Sequence, residues 1–275
     1  MTLTIASWNV NSIKARLPNV LEWLEEAKPD VACLQEIKTV DEGFPRLEIE
    51  ALGYNVETHG QKSYNGVAIL SKYPIEEVKP RLPGDDEDEQ ARYLEVVISA
   101  ESGPVRIASI YLPNGNPAPG PKYDYKLAWM ERLRLHAKGL LAFEEPLILA
   151  GDYNCIPRDS DCWDIAEWER DALALPQTRA AFKALKWLGL TEAFEQLDGR
   201  GHQYTFYDYQ AGRWQKGHGI RIDHLLCSPQ AADTLEKIEK RVEFDLDYIE
   251  RWSVWFDLYI LVRTPPALLL NKDVY

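Results

Sequence analysis

The stretch Pro146-Leu-Ile-Leu-Ala-Gly-Asp-Tyr-Asn154 constrains the fold of this chain more than any other. An apolar run that ends on glycine reads as a buried strand stopping at a turn. Asp152 and Asn154 then project from the strand's end, two residues apart and on the same side. A carboxylate and an amide placed there can share one small target, such as a water and a phosphate oxygen. Asp and Asn also serve as plain turn residues after a strand, so this segment alone leaves both readings open.

The surroundings narrow the choice. At 275 residues, 45% hydrophobic and 27% charged, the chain has ample material for one large core. No apolar run approaches the ~18 residues of a membrane span, and no membrane partner is expected. Leu3–Trp8 reads directly as a strand, without the charged, apolar and cleavage regions of a signal peptide. Cys33, Cys155, Cys162 and Cys227 are scattered with no CxxC pair, which argues against structural zinc or a disulfide framework and for reduced thiols in the cytoplasm. A net charge of −13 excludes coating nucleic acid by bulk charge, but not action on DNA through a local basic face.

Strand-like and helix-like segments alternate along the chain. Leu17, Val20, Leu21 and Leu24 mark a helix face, with Pro18 in its first turn. Val31–Gln35, Tyr54–His59, Gly66–Leu70, Leu94–Ser99 and Val105–Tyr111 are strands rich in β-branched and aromatic residues. Leu127, Met130, Leu133, Ala137 and Leu140 predict a long amphipathic helix leading into the Pro146 strand. Thr178–Leu188 reads as a helix, and Ile220–Cys227 and Val254–Val262 as late strands. Strands in two groups with helices outside predict two sheets packed face to face and flanked by helices, in one domain.

The polar residues that end these strands form a set: Asn9, Glu36, Tyr111, Asn114, Asp152 and Asn154, with Asp223 inside the Ile220 strand. Strand ends on one edge of a sandwich can converge. Hard oxygen ligands without clustered cysteine or histidine favour Mg²⁺ or Mn²⁺ over zinc.

Ser7-Trp-Asn-Val-Asn11, Leu34-Gln-Glu36, Tyr111-Leu-Pro-Asn114, Gly151-Asp-Tyr-Asn154 and Arg221-Ile-Asp223 resemble, in order and spacing, the motifs of the exonuclease III family of DNA repair nucleases. His59-Gly-Gln-Lys62 and Pro83-Gly-Asp-Asp86 extend the resemblance, which runs from about residue 2 to residue 251. It implies an α/β fold, a four-layer sandwich of two mixed β-sheets flanked by helices, over residues 1–258, with residues 259–275 a divergent tail. It also implies Mg²⁺-dependent (or Mn²⁺-dependent) cleavage of double-stranded DNA at abasic sites and from 3′ ends, by a monomer. Glu36 would bind the metal with Asn9 nearby. Asp152 would orient and deprotonate the attacking water. Asn154 and Asn114 would hold the scissile phosphate, and Tyr111 would donate a hydrogen bond to it. Phe206, Ile220 and Ile222 match positions that shape the pocket for a flipped-out abasic sugar, although apolar strand residues are as often core. Lys62, Lys122, Lys126, Arg213, Lys216 and Arg221 are candidates for DNA phosphate contact.

One motif is missing. The family pattern carries Ser-Asp-His-x-Pro before its last strand, its histidine on the scissile phosphate and paired with the aspartate that Asp223 matches. The corresponding stretch here, Ile249-Glu-Arg-Trp-Ser-Val-Trp-Phe-Asp257, holds only Trp252 and Ser253 between matching flanks. Loss of a comparable transition-state donor typically costs on the order of 10²–10³ in rate. Reduced activity follows, as does an alternative function: a protein that binds damaged DNA without cutting it. His218, in the loop before the Ile220 strand, is the one histidine considered as a stand-in, and His224 is expected to face the opposite side of its strand.

Overall fold

The computed structural model describes residues 3–208 and 212–236. In chain order the elements are β1 (Ile5–Asn9), α1 (Leu17–Ala27), β2 (Val31–Gln35), α2 (Arg46–Glu50), β3 (Asn55–His59), β4 (Val67–Ser71), β5 (Ile75–Pro80), β6 (Tyr93–Ala100), β7 (Gly103–Tyr111), α3 (Pro121–Leu141), β8 (Leu147–Asp152), α4 (Pro176–Lys186), β9 (Thr191–Glu192), α5 (Ala193–Leu197), β10 (Phe206–Tyr207), β11 (Gly219–Ile220), β12 (Asp223–Cys227) and α6 (Pro229–Ala232).

One large sheet has the order β1-β2-β4-β3 and the other β5-β6-β7-β8-β12-β9, while β10 and β11 form a separate antiparallel pair. Each large sheet is mixed: β1 runs parallel to β2 and β7 parallel to β8, while the other pairs are antiparallel. The alternation of β8 explains the layers. Ile148 and Ala150 join Val31, Cys33, Val67 and Ile69 in the core between the sheets. Leu147 and Leu149 point the other way, into a core with Trp129, Met130 and Leu133 of α3 and Phe182 and Leu185 of α4. On the outer face of the smaller sheet, Trp8 of β1 meets Trp23 of α1 edge to face at 5.3 Å. Helices, sheet, sheet and helices make the four layers that the motifs implied.

β8 runs through Gly151 to Asp152 rather than stopping at the glycine, and the glycine is dictated by packing. At Gly151 a Cβ would stand 2.0 Å from the Ile110 carbonyl oxygen, so β7 and β8 approach too closely there for any side chain. The late segment Ile220–Cys227 is not one strand but two, β11 and β12, with Arg221 and Ile222 between them. Their backbones are taken by other partners: Arg221 N donates to Asp161 O at 2.8 Å and Ile222 O accepts from Tyr153 N at 2.8 Å. No helix among the described residues is long and apolar enough to cross a membrane. The strand expected at 254–262, and the stretch 249–257, lie outside the described residues.

Candidate active site

Sheet topology brings the polar strand ends together. In the parallel pair β1–β2 Asn9 sits level with Gln35, so Glu36 follows beside it. In the parallel pair β7–β8 Tyr111 is level with Asp152, and antiparallel β12 begins at Asp223 opposite Asp152. Parallel neighbours end at the same edge, and an antiparallel neighbour starts there.

Asn9 joins the two sheets. Its Nδ2 donates to Glu36 Oε1 at 2.8 Å and to Asp152 Oδ2 at 3.0 Å, so one amide bridges two carboxylates 116 residues apart. Asp152 Oδ1 accepts from the Asn154 backbone N–H at 2.8 Å. Asn154 Nδ2 donates to Leu112 O at 2.9 Å, and its Oδ1 accepts from Asn114 Nδ2 at 3.1 Å. Beneath them a buried polar bridge ties the sheets together: Gln35 Nε2 donates to Ser109 Oγ, whose hydroxyl donates to Leu34 O, both at 3.1 Å.

Glu36 and Asn154 both adopt left-handed backbone, at φ 53° and 44°. Asparagine tolerates this region, but glutamate does so only where its surroundings hold it, a pattern that concentrates at functional sites. Glu36 O accepts from Ser12 N at 2.7 Å and so fixes the turn.

The environments of the two carboxylates differ. Burial pushes Glu36 up, but hydrogen bonds from Asn9 and Lys38 and the Lys38 charge bring it below its ordinary range. Asp152 is driven the other way. Burial raises it to about 6, the Glu36 charge adding to the rise, against the bonds from Asn154 and Asn9 and the Lys126 charge. One acid is thus kept ionised and the other is poised near neutrality, the separation that lets two carboxylates take different roles. Burial and both carboxylates push the Tyr111 phenol far above its usual value, so it stays protonated; it hydrogen-bonds Glu36. The Arg92 guanidinium lies over its ring, 4.8 Å from the centroid.

The donor set fits a hard divalent cation. Glu36, Asp152 and the Asn9 amide oxygen offer oxygen only, and Glu36 is held in the ionised state a cation needs. Among the described residues no group of three or more His, Cys, Asp or Glu is gathered for a metal. An ion held by one or two carboxylates that keeps several waters is of the Mg²⁺ type. The Lys38 ammonium lies 2.9 Å from Glu36 Oε2 and would have to yield that oxygen.

The basic candidates divide. Lys62, Lys122 and Lys216 are exposed, and Arg213 pairs with Glu167 at 2.9 Å. Lys126 and Arg221 are corrections: neither is on the surface. Lys126 is fully buried, its amine donating to the Asn114 and Asn154 carbonyls. Arg221 is buried between Asp161 and Glu192, each 3.1 Å away. Phe206 and Ile220 line a cavity of about 240 Å³ with Trp168, Arg213 and His218. Ile222 does not line it but packs in the core with Ile156, Cys162 and Leu173.

Each of the five histidines has a partner outside the carboxylate cluster. His59 faces Tyr93 O, His136 faces Glu95, and His202 faces the Tyr204 hydroxyl. His218 stacks flat on Trp163 at 3.6 Å, and His224 is buried against Cys155 O, turned away as expected. Lys38 and Arg92 were not found by sequence reading. Lys38 carries no signal beyond standing two residues after Glu36, and Arg92 lies in no motif.

The family model described as Endonuclease/Exonuclease/phosphatase family matches residues 6–236. The exodeoxyribonuclease III of Haemophilus influenzae is 32% identical over 90% of this chain and 95% of its own length. An exodeoxyribonuclease of Bacillus subtilis is 28% identical over 85% and 91%. Among solved structures, a 3′ phosphatase from Neisseria bound to a product DNA hairpin has a TM-score of 0.81 at 35% identity, covering 84% of this chain and 89% of its own. An AP endonuclease from Archaeoglobus fulgidus has 0.80 at 33%, with the same coverage.

Proposed function

From a chain that belongs to the endonuclease/exonuclease/phosphatase family and is a phosphodiesterase of the exonuclease III/AP endonuclease type, we propose a Mg²⁺- or Mn²⁺-dependent hydrolase of double-stranded DNA that acts at abasic sites and 3′ ends. The observation that carries this reading is the single Asn9 amide holding an ionised Glu36 beside an Asp152 raised to about 6. Glu36, with the Asn9 amide oxygen beside it, would hold the divalent cation, whose chemistry there would be to neutralise phosphate charge and stabilise the leaving oxygen. Asp152 orients the attacking water and takes its proton; a base of this strength is largely ionised at pH 7 yet still accepts readily. The Asn114 and Asn154 amides hold the phosphate oxygens, and the protonated Tyr111 turns its one O–H from Glu36 to one of them when substrate is bound. The cavity beside Phe206 and Ile220 receives the extruded abasic sugar, and Lys62, Lys122, Arg213 and Lys216 meet the DNA backbone.

The absent Ser-Asp-His motif favours lowered turnover, and it supports a second reading in which the protein binds damaged DNA without cutting it. We place the protein in the cytoplasm as a monomer, in keeping with four buried, unpaired cysteines. A duplex with one abasic site separates the readings. Incision that EDTA abolishes and that exceeds an Asp152→Asn variant supports the nuclease. No incision, with binding that prefers the abasic duplex, supports the binding protein.

A further inference from the structure

Lys126 is the one candidate for DNA contact that has no exposed surface at all. Its Nζ donates to Asn114 O at 3.0 Å and to Asn154 O at 2.6 Å. Its charge is felt by Asp152, Cys155 and Asp171, but no carboxylate among the described residues forms an ion pair with it. Burial pulls the ammonium down to about 8, so it remains largely charged at neutral pH. A buried cation with only carbonyl partners is costly to desolvate, and its place here is held by the two carbonyls it satisfies. The backbone is shaped to admit the stem: at Gly115, with φ 91°, a Cβ would stand 2.6 Å from Lys126 Cδ.

We propose that Lys126 is a positioning residue for the phosphate subsite. Its ammonium clamps the backbones of Asn114 and Asn154, and so fixes the amide pair that the two side chains make with each other at 3.1 Å. The two loops come from different strands, the first following β7 and the second β8, and the clamp closes them into a ring of three contacts. Because attack by the deprotonated water brings negative charge onto the phosphoryl oxygens, amides held against those oxygens matter more in the transition state than in the bound substrate. The proposal rests on the nuclease reading for what the amides hold, but not for the clamp itself.

The test compares Lys126→Met with the wild-type chain on the abasic duplex. The expected result is kcat lowered about 10–100-fold with KM moved less than about threefold, in a chain that still melts cooperatively. Lys126→Gln, which keeps a neutral donor, recovers part of the loss. Combined with Asn154→Ala, Lys126→Met adds less than its own factor, because both act on one unit. A kcat within about threefold of wild type, or losses that multiply in full, overturns the proposal. A readout that needs no turnover keeps the clamp separate from the nuclease reading. In ¹H–¹⁵N spectra the side-chain amide signals of Asn114 and Asn154, assigned by their loss in the Asn→Asp variants, shift and broaden in Lys126→Met. Unchanged signals overturn the proposal even if the wild-type chain proves inactive.

Discussion

Asn9→Ala removes the one side chain among the described residues that hydrogen-bonds both Glu36 and Asp152. The two lost bonds, at 2.8 and 3.0 Å, end on acids, and a hydrogen bond to a charged group is worth roughly 1.5–3 kcal/mol. Glu36 is partly open and regains water, whereas Asp152 is 3% exposed and cannot. The lower half of the summed range is therefore appropriate, about 3 kcal/mol, which corresponds to roughly a 10²-fold loss of kcat/KM. Asn9→Asp keeps the shape but turns a donor into a third carboxylate. Like charges at hydrogen-bond distance repel by several kcal/mol even at an effective dielectric of about 20. Asp152 then holds its proton to higher pH. The assay is incision of a labelled duplex with one abasic site across pH at saturating divalent ion. Asn9→Ala should lose rate at every pH, while Asn9→Asp should in addition move the acidic limb upward. An alanine variant within about threefold of wild type would mean that the bridge does not set the geometry of the site.

The wild-type limb has a defined sign. Asp152 must be unprotonated to accept the water's proton, so the rate falls on the acid side as its carboxyl, raised to about 6 before a cation binds and lowered again by one beside it, takes up a proton; a rate that does not fall at any acidic pH where the fold persists removes Asp152 from the base role. Two glycines separate packing from propensity in a thermal melt. Gly151→Ala should abolish the cooperative transition, since the new Cβ meets the Ile110 carbonyl at 2.0 Å, whereas Gly139→Ala in α3 has open space and should stabilise by about 0.5–1 kcal/mol. Equal melting of the two variants contradicts the close β7–β8 approach.

The parts of the fold that sequence conveyed best were those with a single periodicity. β2 and β4 are short buried runs between turn residues, and α1 and α3 announce themselves by helical spacing, α1 with an early proline as well. Asn9, Tyr111, Asp152 and Asn154 each fit an ordinary strand end or turn, and became legible as a site only as a set that recurs at several strand ends in the order of the family motifs. The misplaced residues share a different cause. Lys126 and Arg221 carry charges, and charge alone reads as surface; nothing local reveals that carbonyls or acids from distant segments await them inside. The split of Ile220–Cys227 was hidden likewise, because Arg221 and Ile222 fit a strand in pattern while their backbones bond Asp161, Tyr153 and the Thr205 hydroxyl, none of them in a neighbouring strand of regular register. Lys38 and Arg92 act on Glu36 and Tyr111 only through tertiary placement.

The buried Arg221 also bears on what the missing motif removes. Its guanidinium reaches Asp161 and Glu192 at 3.1 Å and lies over the Phe194 ring at 5.0 Å, so it locks the turn after β8 and the start of α5 onto the chain just ahead of Asp223. The Asp223 backbone is held as well, its N–H donating to Thr205 Oγ1 at 3.2 Å and its strand pairing with β8 from Asp152 onward. All of these partners precede residue 236. A histidine beyond that point could orient a phosphate and share a proton with Asp223, but it is not needed to put the Asp223 backbone in place. Loss of such an imidazole therefore removes a donor from an assembled site and does not dismantle it. The cost should appear in turnover, on the scale of one transition-state donor, with little change in melting temperature.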